Sequence, residues 1–126
     1  MKYKGYDVVE KDNQIAILIS GGYGSGWSSD QYESLAYDKR VVEFWLEHNK
    51  DREFVDKLDS WGDNETKEEV KKLFNEWGYG YVYFGGFSQI KLHWIDKDKP
   101  FIIREYDGSE YIEYQDAQNW INFKGE

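Results

Sequence analysis

Five consecutive apolar residues, Ile15-Ala16-Ile17-Leu18-Ile19, restrict the fold of this chain more than any other segment. Successive side chains of a β-strand point to opposite faces, so a strand of this composition must be covered on both. It is far shorter than the ~20 apolar residues of a membrane span, and no other stretch approaches that length. The segment therefore reads as the central strand of a sheet with packed material above and below it.

The flanking sequence supplies that material. Tyr3 to Glu10 is β-prone, and Lys11-Asp12-Asn13 provides turn chemistry before Gln14 to Ser20, which predicts an opening hairpin. Asp38 is suited to cap a helix carrying Val41, Val42, Trp45 and Leu46 to about His48. A second helix is expected over Asp51 to Asp59, with Phe54, Val55 and Leu58 on one side. In a third, Thr66 and Glu69 form a capping box, Val70, Leu73, Phe74 and Trp77 recur at helical spacing, and Gly78 marks the stop. Strand character returns over Tyr79 to Phe84 and over Gln89 to Ile95, where Ile90, Leu92 and Trp94 alternate with polar residues. Phe101 to Tyr106 and Ser109 to Tyr114 flank Asp107-Gly108, a hairpin signal. The order predicts an α+β fold: a mainly antiparallel sheet of about five to six strands, with two to three helices inserted mid-chain and packed on one face. The 126 residues fit a single domain, 1–126.

Composition narrows function. A net charge of −9 disfavours direct nucleic-acid binding and favours a basic partner surface. Cysteine is absent, which removes disulfides and thiolate chemistry, and no leader of signal length follows Met1, so a cytoplasmic protein without membrane contact is expected. Aromatic residues reach 19%, more than a core of this size requires, so some rings should be exposed for contact. His48 and His93 lack ligand spacing, Ser25 lacks the context of a nucleophile elbow, and no metal or cofactor motif is present. The chain reads as a binder rather than an enzyme.

Two segments are the candidate sites. Gly21, Gly22, Gly24 and Gly26 free the backbone to present N–H groups to a ligand, and Tyr23 and Trp27 flank them as stacking rings. The proposed ligand set is Gly22, Tyr23, Gly24, Ser25, Gly26, Trp27 and Ser28, with a cation such as Lys39, Arg40 or Arg104. The same loop also reads as a wide sheet connection with Trp27 in the core. Near the C-terminus, Glu105, Asp107, Glu110, Glu113 and Asp116 lie on a hairpin; with their charges on one face they would imitate a nucleic-acid backbone, and otherwise they are a solvated edge.

Gly22-Tyr23-Gly24-Ser25-Gly26-Trp27, Glu105-Tyr106-Asp107-Gly108-Ser109-Glu110 and the start Tyr37-Asp38-Lys39-Arg40-Val41-Val42 resemble a group of small phage and prophage proteins. Gln31-Tyr32-Glu33 departs from that group. The resemblance implies a phage-encoded accessory protein in the host cytoplasm that counteracts bacterial immunity. It would bind either a nucleotide immune signal, as a sponge, or a defence protein, as an acidic DNA-mimic inhibitor of the anti-CRISPR type. A phage assembly component and a sugar-binding protein are the further alternatives, and a homo-oligomer is compatible with each.

Overall fold

The computed structural model describes residues 2–22, 27–29, 31–84 and 86–115. Its centre is β4 (Gln14–Ser20), flanked by β3 (Glu10–Lys11) on one edge and β5 (Ile90–Asp96) on the other, all antiparallel. Adjacent residues of β4 serve different cores. Ala16 and Leu18 face a cluster built by the helices, including Val42, Val55, Val70 and Phe74. Ile15, Ile17 and Ile19 face a second cluster with Val8, Tyr37, Ile95 and Phe101. Both faces of the apolar strand are thus covered.

The helices α1 (Lys39–His48), α2 (Arg52–Asp59) and α3 (Glu65–Glu76) contribute apolar residues to the first cluster, although Leu46 of α1 is 50% exposed and lies outside it. Asp38 caps α1 by accepting from the Arg40 N–H at 3.0 Å, and Asp51 caps α2 by accepting from Phe54 at 3.2 Å. The cap of α3 is Asn64, not Thr66: its side chain accepts from the Lys67 N–H at 2.9 Å and donates to the Lys57 carbonyl at 2.8 Å. The second contact ties α3 to the end of α2, a tertiary reason that no local capping pattern contains. The opposite face of β4 is covered by two ribbons, β1 (Lys2–Tyr3) with β2 (Tyr6–Asp7) and β6 (Phe101–Tyr106) with β7 (Ser109–Tyr114).

The α+β class is as expected, but the seven strands form three small sheets among the described residues instead of one sheet of five to six. The expected strand from Tyr3 to Glu10 is broken by Lys4 and Gly5, both at positive φ (50° and 89°), which turn the chain back after two residues. Asp12-Asn13 and Asp107-Gly108 also hold positive φ at both central positions, the geometry of tight hairpins. Tyr79 to Phe84 forms no strand, because its backbone is held by side chains: Gln31 pairs with both the N–H and the carbonyl of Tyr83. No helix among the described residues is long and apolar enough to cross a membrane.

Ile17 and Leu18 are sequence neighbours whose side chains belong to separate cores. Ile17→Ala and Leu18→Ala should each cost about 2–5 kcal/mol in urea unfolding. A cost below about 1 kcal/mol for either would mean that one face of β4 is not packed.

Candidate functional site

The glycine-rich segment is anchored at both ends by one carboxylate. Glu110, on β7 and only 5% exposed, accepts from the Ser20 N–H at 3.0 Å, the Ser29 N–H at 2.9 Å and the Ser29 hydroxyl at 2.7 Å. Ser109 adds a hydroxyl bond to the Gly21 carbonyl at 3.2 Å. The two candidate segments therefore meet, but as a buried structural joint. Tyr23, Gly24, Ser25 and Gly26 lie outside the described residues, as does Asp116; Gly22 donates weakly to the Ser20 hydroxyl at 3.4 Å.

Trp27 is not available as a stacking platform. It is 1% exposed and lies parallel to Phe84, with ring centroids 5.3 Å apart at 16°. Ser28 is buried beside it. The large apolar indole gains more from the helix-side core than from the surface.

Two of the three proposed cations, Arg40 and Arg104, are also committed elsewhere. Arg40 grips the buried Asp38 carboxylate through Nε at 3.1 Å and Nη2 at 2.8 Å, and its guanidinium lies 5.6 Å from the Trp77 ring centroid. Asp38 also accepts from the Tyr79 hydroxyl at 2.8 Å. Burial, together with that carboxylate, pushes the Tyr79 hydroxyl well above its ordinary pKa of 10.0, and the bond to Ser34 opposes the shift only in part. Lys39 is exposed at the start of α1.

Arg104 pairs with Glu113 across the exposed hairpin at 2.8 Å, and this bond holds the Glu113 carboxyl below the ordinary range. The hairpin register separates the acidic residues. Glu105 stands opposite Glu110 on the face that carries Phe101 and Ile103, whereas Glu113 stands opposite Ile102 on the other. Asp107 sits in the turn. With Glu110 buried and Glu113 paired with Arg104, the carboxylates among the described residues do not form one acidic face.

A different region has the character of a binding site. A cavity of about 570 Å³ opens between the α2–α3 loop, one side of α3 and residues 80–84 and 86. Its apolar lining includes Leu58, Val70, Phe74, Val82 and Phe84. Trp61, Tyr81 and Tyr83 also line it and are 102%, 73% and 45% exposed. None of the three stacks on another ring among the described residues. That volume lies in the range of small-molecule clefts, and the lining adds Asp59, Asp63, Lys67, Glu68 and Lys71 to the apolar residues.

The walls are braced. Lys67 donates its ammonium hydrogens to the carbonyls of Ser60 and Gly62, so the loop carrying Trp61 is tied to α3 from both sides. The Ser60 hydroxyl donates to the Lys57 carbonyl at 2.9 Å, and Gly62 takes a φ of +85° that other residues rarely adopt. Asp59 accepts from the N–H groups of Phe87 and Ser88 at 2.5 and 3.1 Å, securing the chain beyond Gly86. On the far wall, the Gln31 amide donates to the Tyr83 carbonyl at 2.5 Å and accepts from its N–H at 2.6 Å. The same amide donates to the Trp27 carbonyl at 2.5 Å. The buried Trp27 thereby supports the cleft from behind, through Phe84 and Gln31.

His48 stacks on Phe54 with centroids 4.0 Å apart, and His93 is exposed opposite Ile17 on β5. Among the described residues no group of three or more His, Cys, Asp or Glu side chains is placed to hold a metal ion. No protein-family model, curated protein or solved structure matches the chain.

Two stability measurements follow from these networks. Glu110→Ala strands the buried Ser20 N–H and removes the acceptor of the solvent-accessible Ser29 N–H and hydroxyl, so it should cost about 1–3 kcal/mol, with Glu110→Gln intermediate; a loss under about 0.5 kcal/mol for the alanine variant would remove the joint. For Tyr79, the folded pKa lies above the unfolded one, so its contribution is complete below pH 10 and declines as pH rises beyond that value. Tyr79→Phe should therefore flatten the alkaline loss of stability, and an unchanged profile would assign that loss to other groups.

Proposed function

We propose that this chain is a non-enzymatic capture protein whose aromatic-rimmed cleft holds a nucleotide-type small ligand. The observation that carries this reading is three exposed, unstacked rings around a cavity of about 570 Å³ on a braced loop. Planar bases stack on such rings, each worth about 1–3 kcal/mol where measured by alanine substitution. Exposure of a whole indole is unfavourable in water, and bonds from Lys67 hold the loop that presents it.

The resemblance of the Gly22-to-Trp27 and Glu105-to-Glu110 motifs to phage accessory proteins supplies the setting. In that setting the chain sequesters a nucleotide immune signal in the host cytoplasm and so silences a defence response. Sequestration requires affinity and abundance without chemistry, consistent with a site whose lining offers ring faces and a few polar groups. Capture is favoured over acidic mimicry because the hairpin carboxylates are divided between a buried joint, an ion pair and a turn.

Thermal unfolding of the full chain tests the reading directly. A nucleotide present at about a hundredfold excess over its Kd should raise Tm by on the order of 10 °C. The double substitution Trp61→Ala, Tyr81→Ala should abolish the shift while leaving the unliganded Tm nearly unchanged, since both rings are exposed. No shift with any cyclic or linear nucleotide, or a shift that survives the double substitution, would reject the cleft as a nucleotide site.

A further inference from the structure

We infer that the cleft recognises the nucleoside end of its ligand, the base and the sugar, and discriminates against polyphosphate. This rests on the capture reading above and specifies which part of the ligand is held. The reason is the charge lining the cavity. Lys67 and Lys71 face three carboxylates, Asp59, Asp63 and Glu68, in a chain that already carries a net charge of −9.

Neither lysine is a free phosphate donor. The Lys67 ammonium is engaged by the Ser60 and Gly62 carbonyls, and Lys71 lies 3.6 Å from Glu68. A phosphate chain entering here would have to displace one of these contacts and approach the remaining carboxylates. Phosphate-binding sites are built the other way, with several backbone N–H groups or uncommitted cations converging on the anion.

The same lining suits an uncharged ring with polar edges. Trp61, Tyr81 and Tyr83 offer ring faces to a base, while Asp63, and the Glu68 oxygen not turned to Lys71, are acceptors for an exocyclic amino group or the hydroxyl pair of a ribose. A nucleoside combines a planar face with donors of both kinds. Sugars lack the planar face and polyphosphates bring the wrong charge.

Isothermal titration of the full-length chain with adenosine, guanosine, their 5′-monophosphates, their triphosphates and maltose tests this. At least one nucleoside or monophosphate should bind about tenfold more tightly than the triphosphate of the same base, with the gap widening as salt is lowered. Trp61→Ala should weaken that binding about five- to hundredfold. The double substitution Asp63→Asn, Glu68→Gln should improve triphosphate binding relative to the nucleoside about fivefold, because it removes repulsion and leaves the rings intact. Triphosphates binding more tightly than nucleosides, with affinity falling as salt rises, would overturn this inference while leaving nucleotide capture in place. If maltose binds and no purine compound does, or if nothing in the series binds at millimolar concentration, the capture reading falls and this inference falls with it.

Discussion

Everything in this molecule is arranged around the need to bury both faces of β4. A strand alternates its side chains, so Ile15, Ile17 and Ile19 require one cover and Ala16 and Leu18 another. The chain meets the two demands with different materials. Three helices cover one side, while two short ribbons and the turn at Ala36-Tyr37 cover the other. The small, interrupted sheets follow from that division. Ribbons that cap a face need not join the central ladder, so β6 and β7 pair with each other and dock through Phe101, Ile103 and Ile112.

The cleft is a by-product of the helical cover that has been stiffened into a feature. α3 leaves α2 through a loop with Trp61 near its apex, and the chain returns from α3 through an irregular segment with Tyr81 and Tyr83. Both flanking segments lack ladder bonds, and both are held by side chains that substitute for them. Lys67 serves as a clasp for two carbonyls, and the Gln31 amide supplies the donor and acceptor that a neighbouring strand would provide. These backbone groups are exposed and could bond to water instead, so the side-chain bonds act mainly to fix the position of the two segments.

How much of this is readable from residues alone depends on how local the cause is. The helix start at Asp38, the turn at Asp107-Gly108 and the two-sided burial of the apolar strand are legible because they follow from short-range geometry. Asn64 displaces Thr66 as the cap of α3 because Asn64 also reaches Lys57, a contact between two helices that no local pattern encodes. Lys4-Gly5 resembles an ordinary polar pair until both residues adopt positive φ. The cleft is the least legible feature of all. Its rings come from positions 61, 81 and 83, and its support comes from Gln31 and Trp27, so it exists only once the chain is folded. The one available signal was the surplus of aromatic residues, which indicates that rings reach the surface without indicating which.

Trp27 and Trp61 illustrate why ring identity in a motif is a weak guide to contact. The glycine-rich motif contains an indole, and the structure places that indole at the bottom of the helix-side core, stacked on Phe84. Phe84 in turn lines the cavity. Trp27 thus acts on the cleft at one remove, by fixing the wall against which any occupant would rest, while the exposed role passes to an indole in a charged, Gly-containing loop. Glu110 extends the same chain of support, since it ties Ser29, two residues beyond Trp27, to the hairpin on the far side of β4. The hairpin thus fixes Ser20, Gly21 and Ser29, and Trp27, close to Ser29 in the chain, packs against the Phe84 of the cleft wall. A rim of rings is useful for binding only if the wall beneath it does not yield, and the packing of Phe84 on Trp27 in the helix-side core supports that wall.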